Sequence, residues 1–562
     1  MPPTLTTNPP PNAASKTTNI ADRLRTAARR VPDQPAIIIP PRRWRSERRI
    51  SFAELDSLCD RLAAGLIRHG IEPGERIVLM VKPGIEFFSL TFALFRAGAT
   101  IVLIDPGMGI SRVANCLAEV DPHGFAAIPI VHLLRRTRSR RFPHANHNIC
   151  VGRSCFRDAV SYDSLRQSTA EGTTFPTVKS TDSAAIIFTS GGTGPPKGVV
   201  YEHGMFAAQV DFLRERFAIE AGEVDLPGFP LFALFNAALG VTTVVPKMDP
   251  TRPARVDPRN IINPIRDYQV TQAFGSPALW NRVGRYCQKH HQTIPHLKRA
   301  FSAGAPVPLP ILEQMTKALA EPDAAFHTPY GATEALPVAV IDADTVLQET
   351  AAASRRGAGT CVGPAFPGVD VQIIHRTNQP IAEINDARPM PAGEIGEIIV
   401  RSSAATREYY QRPEATALAK IRDGESFWHR MGDVGYLDES GRLWFCGRKA
   451  HVVETEHGPL YSVCCEAIFN EHPRVYRSAL VGIGPAGKQI PLIIIELEPD
   501  GVIRNNLDRS QLFDELRRLA EGNPLTSSID RFLIHENFPV DARHNIKINR
   551  EQLARWAAKR IS

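Results

Sequence analysis

The chain has 562 residues, of which 43% are hydrophobic and 22% charged, and its formal net charge is +7 at pH 7. This length is too great for one hydrophobic core, so two or more domains are expected, and the composition is that of an ordinary soluble globular protein. Nine scattered cysteines without a C-x-x-C pair argue against a disulfide framework or a zinc site and indicate buried thiols in a reducing cytosol.

The N-terminal residues 1–18 are rich in Pro, Thr and Asn and have no apolar core. A disordered tail is therefore predicted there, and a secretory signal is not. Two arginine clusters, PRRWRSERR (41–49) and RRTRSRR (135–141), carry much of the excess positive charge. A nucleic-acid site, an acidic-membrane site and an acidic partner protein are open alternatives, but solvated loops fit better because both clusters flank turn-like segments.

The first predicted element after the tail is a helix that begins at the capping box SFAE (51–54). Leucines at helical spacing follow it, and Gly70 is placed to end it. Residues 76–81 and 99–104 predict strands, and 85–97 predict a helix between them. Alternating strands and helices imply a parallel sheet that is covered on both faces.

The stretch FTSGGTGPPKG (188–198) predicts either a flexible surface loop or a phosphate cradle. Its glycines let backbone N–H groups approach an anion, its hydroxyls donate hydrogen bonds, and Lys197 supplies charge. An apolar run precedes it at 184–188 and a helix is predicted from about residue 203, so strand, loop and helix are expected in that order. Neither a P-loop nor the G-x-G-x-x-G dinucleotide motif fits these residues.

The uncharged segment 226–246 resembles a membrane span only in length, because its prolines and glycines break a continuous helix. It predicts a loop, a buried helix and a strand. Further strands are expected at 270–275 and 300–303, and a helix at 309–319. From about residue 393 the pattern changes to short antiparallel strands, and beyond 454 to a compact α+β unit.

Four further stretches complete a recognisable set: SAGAPVP (302–308), TPYGATE (328–334), HRMGDVGYLDESGRLWFCGRK (429–449) and PVDARHNIKINR (539–550). Together with the glycine-rich stretch, they resemble the motifs of the adenylate-forming superfamily, in order and spacing, from about residue 20 to the end. The resemblance implies an α/β fold with a large N-terminal domain of mixed sheets and a small antiparallel, barrel-like part, followed by a small mobile α+β domain. We expect a tail at 1–18, an adenylation domain at 19–448 and a mobile lid at 449–562.

The same resemblance implies the roles of individual residues. Joining a carboxylate to the α-phosphate of ATP brings two anions together, which costs about 4 kcal/mol at 4 Å and an effective dielectric of 20, so cationic and amide groups must offset it. Lys547, Thr333 and Glu334 are the implied catalytic residues, and Glu334 is the implied Mg²⁺ ligand. The implied nucleotide site comprises Thr189, Ser190, Gly191, Gly192, Thr193, Gly194, Lys197, Gly304, Ala305, Pro306, Tyr330, Gly331, Ala332, Thr333, Asp433 and Arg448.

Three positions depart from the superfamily pattern. Gly192 replaces a hydroxyl residue of the loop, Ala233 stands where acyl-CoA synthetases commonly have histidine, and Ala450 stands at the hinge position, usually Asp or Lys. The last two changes bear on thioester formation, so they make a CoA ligase less favoured without excluding it.

Within the superfamily, the chain resembles the β-lactone synthetases of long-chain olefin biosynthesis. The residues that carry this resemblance include IDPGMG (104–109), HTPYGATEALPVA (327–339) and CGRKAHVVET (446–455). It implies ATP- and Mg²⁺-dependent adenylation of a long-chain 2-alkyl-3-hydroxy acid, then attack by its own 3-hydroxyl to form the lactone. A fatty acyl-AMP ligase or long-chain acyl-CoA synthetase is the alternative. A cytoplasmic location is expected, and a β-lactone decarboxylase and a reductase of the same pathway are the implied partners.

Two questions about the substrate stay open in the sequence. The apolar segments 87–95 and 229–239 fit either the wall of an alkyl tunnel or ordinary core packing. The base that accepts the hydroxyl proton is not identified; His203, His327 and the adenylate phosphate are all candidates.

Overall fold

The structure is a computed structural model that describes residues 19–41, 45–152, 156–189, 196–499, 501–540 and 548–561, with only the backbone at Thr189. The predicted tail at 1–18 lies outside these residues. So do 42–44 of the first arginine cluster, the loop residues 190–195 and the segment 541–547, which includes Lys547.

The strands of the described residues are short, and most alternate with helices in the first half of the chain. In chain order they are β1 (Pro35–Ile39), β2 (Arg48–Ser51), β3 (Arg76–Met80), β4 (Thr100–Ile104), β5 (Gly124–Ala127), β6 (Ile149–Cys150), β7 (Val160–Ser161), β8 (Ser183–Thr189), β9 (Lys197–Glu202), β10 (Val224–Pro227), β11 (Thr242–Val244), β12 (Gln272–Gly275), β13 (Arg299–Ser302), β14 (Ala325–Ala332), β15 (Ala335–Asp342), β16 (Thr360–Gly363), β17 (Asp370–Ile374), β18 (Gly396–Arg401), β19 (Lys420–Asp423), β20 (Ser426–Leu437), β21 (Leu443–Arg448), β22 (Val453–Thr455), β23 (Gly458–Leu460), β24 (Val475–Ile483), β25 (Ile490–Leu497) and β26 (Phe532–Ile534).

The helices follow the same order along the chain. They are α1 (Ala21–Arg30), α2 (Phe52–Arg68), α3 (Ile85–Arg96), α4 (Ile110–Val120), α5 (Pro129–Thr137), α6 (Tyr162–Leu165), α7 (His203–Phe217), α8 (Ala233–Leu239), α9 (Arg259–Asp267), α10 (Pro277–His290), α11 (Leu309–Ala318), α12 (Ala343–Thr345), α13 (Ala351–Ala353), α14 (Pro413–Ala419), α15 (Ser462–Phe469), α16 (Asn506–Glu521) and α17 (Arg550–Ile561). The predicted capping box of α2 is present: the Glu54 amide donates to the Ser51 hydroxyl, and the Ser51 amide donates to the Glu54 carboxylate.

A seven-stranded sheet has the order β7-β6-β5-β3-β4-β8-β9, and all its neighbours are parallel except β8 and β9. Successive side chains of its central strands face opposite sides, as strand geometry requires. Ile77 and Leu79 of β3 face the largest core cluster, whereas Val78 faces a second cluster with Val113 and Leu117 of α4. Both faces are therefore covered, as the sequence pattern predicts.

An eight-stranded sheet has the order β15-β14-β13-β12-β10-β11-β1-β2. Its inner strands are parallel, and antiparallel strands close both edges, β1 with β2 and β14 with β15. The largest core cluster includes Leu79 and Leu103 of the first sheet and Ile37 and Val340 of the second, together with α2, α3, α7 and α8. The chain thus builds two mixed sheets packed on a shared core.

The strand expected at 184–188 and the helix expected from about residue 203 are present as β8 and α7, but the expectation that the helix follows the glycine-rich stretch directly is wrong. Lys197–Glu202 forms a further strand, β9, which runs antiparallel to β8 and precedes α7. The reason lies in the residues: Val199, Val200 and Tyr201 favour extended backbone and pair with the apolar residues of β8. The glycine-rich stretch therefore joins two antiparallel strands and does not itself start a helix.

The second half of the chain supplies antiparallel sheets. Strands β16-β21-β20-β18-β17 form one sheet, to which β19 adds by pairing with β20. After the turn Lys449–His451, β22 pairs with β23, and β24-β25-β26 form a three-stranded sheet with α15, α16 and α17. This last part is the expected small α+β domain; the exact division at 448 and 449 stays a prediction.

After the last two residues of β10, the uncharged segment 226–246 contains a turn at 228–232, helix α8 and strand β11. This matches the predicted loop, helix and strand. Within the described part of the chain, every helix is too short or too polar to traverse a bilayer.

Candidate active site

A cavity of about 2510 Å³ collects the predicted nucleotide-site residues that the structure describes. It lies where the carboxyl ends of the parallel strands of both large sheets face β20, β21 and the C-terminal part of the chain. Its lining includes Lys197, Gly304, Ala305, Pro306, Tyr330, Gly331, Ala332, Thr333, Glu334, Asp433 and Arg448. The side chain of Thr189, the residues Ser190, Gly191, Gly192, Thr193 and Gly194, and Lys547 lie outside the described part.

The two ends of the glycine-rich stretch are held together as a pair. Thr189 and Lys197 are opposite each other in the β8–β9 ladder. The Lys197 ammonium lies 4.7 Å from the centroid of the Tyr409 ring, a cation–π distance. Tyr409 is carried there by backbone pairing, since the Tyr410 amide donates to the Gly198 carbonyl and the Val200 amide donates to the Glu408 carbonyl.

The carboxylate of Asp433, on β20, is nearly buried and has one partner on β14 of the eight-stranded sheet and one on β21 of its own sheet. The Tyr330 hydroxyl of β14 donates to Asp433 Oδ2 at 2.7 Å, and Arg448 Nη1 lies 2.9 Å from Asp433 Oδ1. Asp433 and Arg448 are directly opposite in the β20–β21 ladder. Asp433 raises the pKa of the Arg448 guanidinium, and burial followed by Asp433 raises the pKa of the Tyr330 phenol. The ion pair is thus built into the sheet register.

Backbone and side chain of the Thr333–Glu334 pair are clamped from two sides. The Tyr201 hydroxyl donates to the Thr333 carbonyl. The Thr406 amide donates to the Glu334 carbonyl at 2.8 Å, and the Tyr409 hydroxyl donates to Glu334 Oε1 at 2.8 Å. Burial, with the Glu334 charge second, raises the pKa of the Tyr201 and Tyr409 phenols, so both remain donors.

Tyr201, Thr406 and Tyr409 are absent from the sequence prediction. Tyr201 lies shortly after the glycine-rich stretch. Side chains alternate between the two faces of a strand, and the sequence alone does not show which face of this strand is turned to the cavity. Thr406 and Tyr409 lie more than 70 residues beyond Glu334, and their only signal is a Thr-Arg-Glu-Tyr-Tyr run (406–410) without a recognised motif. Tertiary pairing with β9 is what brings them to the site.

A second lysine, Lys420, contacts the backbone of Thr406 near Glu334. Lys420 Nζ donates to the Thr406 carbonyl, and burial lowers the pKa of Lys420 to about 7, while the nearby Glu334 carboxylate opposes this shift. The neighbouring His429 lines the cavity, and burial, then the Lys420 charge, lowers the pKa of its ring well below the ordinary value. The ring of His429 is therefore neutral at pH 7.

The donor set suits Mg²⁺ only together with phosphates. Among the described residues, no cluster of three or more His, Cys, Asp or Glu side chains is arranged to hold a metal ion. Glu334 offers one hard carboxylate, with Oε1 oriented by Tyr409. Mg²⁺ is commonly held by one or two carboxylates plus substrate phosphates, so a single glutamate fits this ion when phosphates supply the other ligands.

The segment that carries Lys547 begins and ends next to the cavity. Val540 and Ile548 form an antiparallel bridge, and Ile548 lines the cavity. Arg550, the first residue of α17, holds both oxygens of the Glu466 carboxylate at 2.6 and 2.9 Å. The chain on the C-terminal side of Lys547 is therefore anchored at the cavity wall.

The two histidines considered as bases do not line the cavity. His203 accepts a hydrogen bond from the Ile20 amide at 3.3 Å and packs edge-on against Phe95, and His327 stacks on Phe301. Burial lowers the pKa of each ring to about 4. The cavity instead meets His429 and, in the C-terminal part, His451, whose pKa burial also lowers to about 4.

Beyond the polar residues, the apolar lining of the cavity comes from both faces of the seven-stranded sheet at the carboxyl ends of β3 and β4. Leu79 and Leu103 face one side of the sheet, Met80 and Ile104 face the other, and all four line the cavity. We call the lining on the face between the large sheets the inner branch and the lining on the face covered by α4 and α5 the outer branch. The inner branch is lined by Phe87, Phe92, Phe95, Val210, Phe232 and Ala238, and the outer branch by Val113, Ala114, Leu117, Phe125, Val131 and Phe142.

The predicted apolar segments 87–95 and 229–239 therefore both reach the cavity. The same side chains serve as core and as cavity wall. Four phenylalanines of the main core also line the inner branch: Phe87, Phe88, Phe92 and Phe95. Ala233 and Ala450, the two departures that bear on thioester formation, line the cavity as well.

Comparison with known proteins agrees with this geometry. The family of AMP-binding enzymes matches residues 24–410. Olefin beta-lactone synthetases of Xanthomonas campestris pv. campestris and Stenotrophomonas maltophilia are 47% and 46% identical to the chain, over 96% and 97% of it and 98% of each relative. O-succinylbenzoate coenzyme A synthetase of Bacillus subtilis, solved in complex with ATP and magnesium ion, has the same fold, with a TM-score of 0.72 at 19% identity over 94% of this chain and 98% of that one. The chain therefore belongs to the AMP-binding family of ATP-dependent, adenylate-forming enzymes, together with the olefin beta-lactone synthetases.

Proposed function

We propose that the protein converts a long-chain 2-alkyl-3-hydroxy acid into a β-lactone, with ATP and Mg²⁺ as cofactors. The observation that carries the proposal is one cavity whose lining joins a nucleotide-type polar end, built from Asp433, Glu334 and Lys197, to the apolar residues of the inner and outer branches. The high identity to two olefin beta-lactone synthetases supports the same reaction.

In the first step, a carboxylate oxygen of the acid bonds to the α-phosphorus of ATP, and pyrophosphate leaves. Asp433, held by Tyr330 and Arg448, is suited to accept two ribose hydroxyl hydrogen bonds, and the turn at 304–306 together with the Tyr330 ring forms a slot for adenine. Lys197 and the glycine-rich stretch serve the β- and γ-phosphates, and Thr333 the α-phosphate. Mg²⁺ bound at Glu334 would neutralise phosphate charge.

Lys547 completes this step by neutralising the α-phosphate and carboxylate as they approach. The support for this role is its position immediately before Ile548 at the cavity wall. Two like charges held near contact repel each other, so a cation supplied at this point lowers the barrier to bond formation.

In the second step, the 3-hydroxyl oxygen bonds to the acyl carbon, and the bond from that carbon to the phosphate oxygen breaks, releasing AMP. The hydroxyl proton passes to the departing phosphate. Proton transfer to phosphate needs no protein base, which accords with His203 and His327 lying off the cavity wall and with the lowered pKa of His429, which makes its ring a weak base. Because the nucleophile is tethered, no external thiol must bind.

The two branches support a substrate with two alkyl chains. A 2-alkyl-3-hydroxy acid carries one chain on C2 and another beyond C3, and these diverge from adjacent carbons. The inner and outer branches likewise diverge on opposite faces of one sheet at the ends of β3 and β4. A single-chain fatty acid would fill only one of them.

The decisive experiment incubates the enzyme with ATP, Mg²⁺ and a 2-alkyl-3-hydroxy acid in the absence of CoA. We expect AMP, pyrophosphate and a four-membered lactone by mass spectrometry. The alternative, a fatty acyl-AMP ligase or long-chain acyl-CoA synthetase, predicts a stable adenylate or AMP release that requires CoA. The corresponding acid without the 3-hydroxyl is the control and is expected to stop at the adenylate.

The chemistry of the product suggests its neighbours. A β-lactone loses carbon dioxide to give an alkene, so a β-lactone decarboxylase is the proposed next enzyme, and a reductase that makes the 3-hydroxyl is the proposed preceding one. A cytoplasmic location is part of this proposal; the thiols of the eight described cysteines are unpaired and buried, which suits a reducing compartment.

A further inference from the structure

Three large apolar side chains are exposed at one edge of the seven-stranded sheet. Ile110 begins α4, while Ile130 and Leu133 lie on α5, and their exposed fractions are 59%, 55% and 49%. Helix α4 follows β4 and helix α5 follows β5. Because β4 and β5 are parallel to β3 in one sheet, both helices begin at the same end of that sheet, where the carboxyl ends of the strands lie. We call these three residues the apolar patch. Clustered exposed side chains of this size indicate a surface that something covers.

Helix α5 leads from the apolar patch directly into the second arginine cluster. Residues 135–141 contain five arginines and no carboxylate. Arg135 and Arg136 share one carboxylate, Asp158, at 2.5 and 2.7 Å, and Arg141 donates to the Asn115 amide oxygen of α4 at 2.6 Å. The cluster is therefore held against α4 and keeps an excess of positive charge.

The apolar patch is continuous with the outer branch of the cavity. Ile110 and Ile130 line that cavity from its rim, and Val113 and Val131, one turn or less along the same helices, line it from within. Arg138 also lines it. An apolar path therefore runs from an exposed, positively charged surface toward the polar end of the site.

We propose that the apolar patch and the arginine cluster form a docking surface for an anionic lipid bilayer. An amphipathic helix with large apolar residues on one part and arginines on the next is suited to the membrane interface, where apolar insertion and attraction to anionic headgroups add. An acidic protein would satisfy the arginines, but it would not account for the exposed isoleucine side chains at the rim of the cavity or for the exposed Leu133 beside them.

Docking at this surface would let alkyl chains pass from the bilayer into the outer branch without crossing water. This consequence rests on the proposed function, whereas the docking itself does not. A vesicle-binding measurement without ATP or substrate therefore tests the docking separately from the reaction.

The experiment is co-sedimentation of the full chain with phosphatidylcholine vesicles and with vesicles that also contain phosphatidylglycerol. We expect binding to the anionic vesicles, weakened by salt because the attraction is screened. Arg140→Gln is expected to weaken binding about fivefold, the effect of one arginine near an anionic surface. Leu133→Ser is expected to weaken it about tenfold or more through lost apolar insertion.

Leu507→Ser and Arg517→Gln are the matched controls, since both residues are exposed on α16 of the C-terminal domain, and both should bind like the unaltered protein. Failure of the unaltered protein to bind anionic vesicles would overturn the proposal. Equal losses of vesicle binding in Leu133→Ser and Leu507→Ser would also overturn it. A third contrary outcome is binding to polyglutamate that is as strong as vesicle binding and is unchanged by Leu133→Ser. That result would identify an acidic polypeptide as the partner.

Discussion

The Tyr409 hydroxyl donates a 2.8 Å hydrogen bond to Glu334 Oε1, although 75 residues separate the two in the chain. The same ring lies against the Lys197 ammonium, so one tyrosine links the end of the glycine-rich stretch to the proposed Mg²⁺ ligand. A partner that fixes the orientation of a ligating carboxylate usually matters almost as much as the ligand. This contact leads to the first prediction.

Tyr409→Phe is expected to raise the Mg²⁺ concentration needed for half-maximal adenylation by about tenfold, because a hydrogen bond to a charged group is lost. Glu334→Gln should have a larger effect on the same titration, since it removes the charge itself. Tyr410→Phe is the matched control, because its hydroxyl donates at 3.4 Å to the Val120 carbonyl, away from Glu334. Identical metal titrations for Tyr409→Phe and Tyr410→Phe would contradict the assignment.

Asp433→Asn is expected to raise the KM for ATP by at least about tenfold. The substitution removes the charge that pairs with Arg448 and one acceptor suited to the ribose hydroxyls, and hydrogen bonds to charged groups contribute about 1.5–3 kcal/mol. Asp438→Asn serves as the control, since Asp438 holds Arg442 and Trp444 at the turn that follows β20. That variant should lower the melting temperature while leaving the KM for ATP unchanged; a reversed pattern would refute the site.

Lys547→Ala is expected to slow adenylate formation by about 10²-fold or more, while ATP binding survives. The lysine is proposed to act only as the two anions meet, so its removal affects the transition state more than the bound nucleotide. Pyrophosphate release measures the rate, and equilibrium binding of ATP measures the ground state. Lys559→Ala, near the end of α17, is the control; a nearly unaltered rate for Lys547→Ala would end the proposal for this residue.

Ala114→Phe and Ala238→Phe are expected to restrict different alkyl chains of the substrate. Ala114 lines the outer branch and Ala238 the inner branch, so each added phenyl ring shortens one branch only. We expect each variant to lose activity on acids with a long chain at one position and to keep it on acids shortened there. The melting temperature of each variant is measured as well, because an added phenyl ring can destabilise the fold by overpacking. Loss of the same substrates by both variants would argue against two separate branches.

Asp225 is expected to make the protein less stable as the pH rises from about 4 to 7. Burial raises the pKa of Asp225 to about 7, although the Asn236 amide donates to its carboxylate at 2.6 Å. Between the unfolded pKa of about 3.9 and the folded value, the folded state binds the extra proton, so the free energy of unfolding falls with pH by up to about 4 kcal/mol. Above that window the contribution is constant.

Asp225→Asn should flatten this part of the stability curve, because the amide does not titrate. Urea unfolding at a series of pH values from 4 to 8 gives the comparison. Asp267→Asn, at an exposed position beside Arg266, should leave the slope unchanged. Parallel curves for the unaltered protein and Asp225→Asn would show that this carboxyl does not control the slope.

Much of the first half of the fold follows from local pattern. The capping box at Ser51, the helix Ile85–Arg96 and the strands on either side of it agree with the sequence prediction to within a residue or two, since apolar periodicity and capping act over short distances. The strand Lys197–Glu202 was missed, because an extended segment after a glycine-rich stretch has the same composition whether it pairs or leads into a helix. Whether this segment pairs with β8 is decided by tertiary contacts and not by its local sequence.

By itself, the amino-acid sequence determined the family and the order of its motifs, and it predicted the residue types that would meet phosphate, ribose and adenine, because those groups demand particular side chains at particular spacings. Only the tertiary structure decided that Tyr201 holds Thr333 while Thr406 and Tyr409 hold Glu334, that two histidines lie off the cavity wall, and that residues from both faces of a sheet line the cavity. These features depend on contacts between residues far apart in the chain. Packing in the folded state offsets the entropy cost of closing the long loops between them, and this packing cannot be inferred from local sequence patterns.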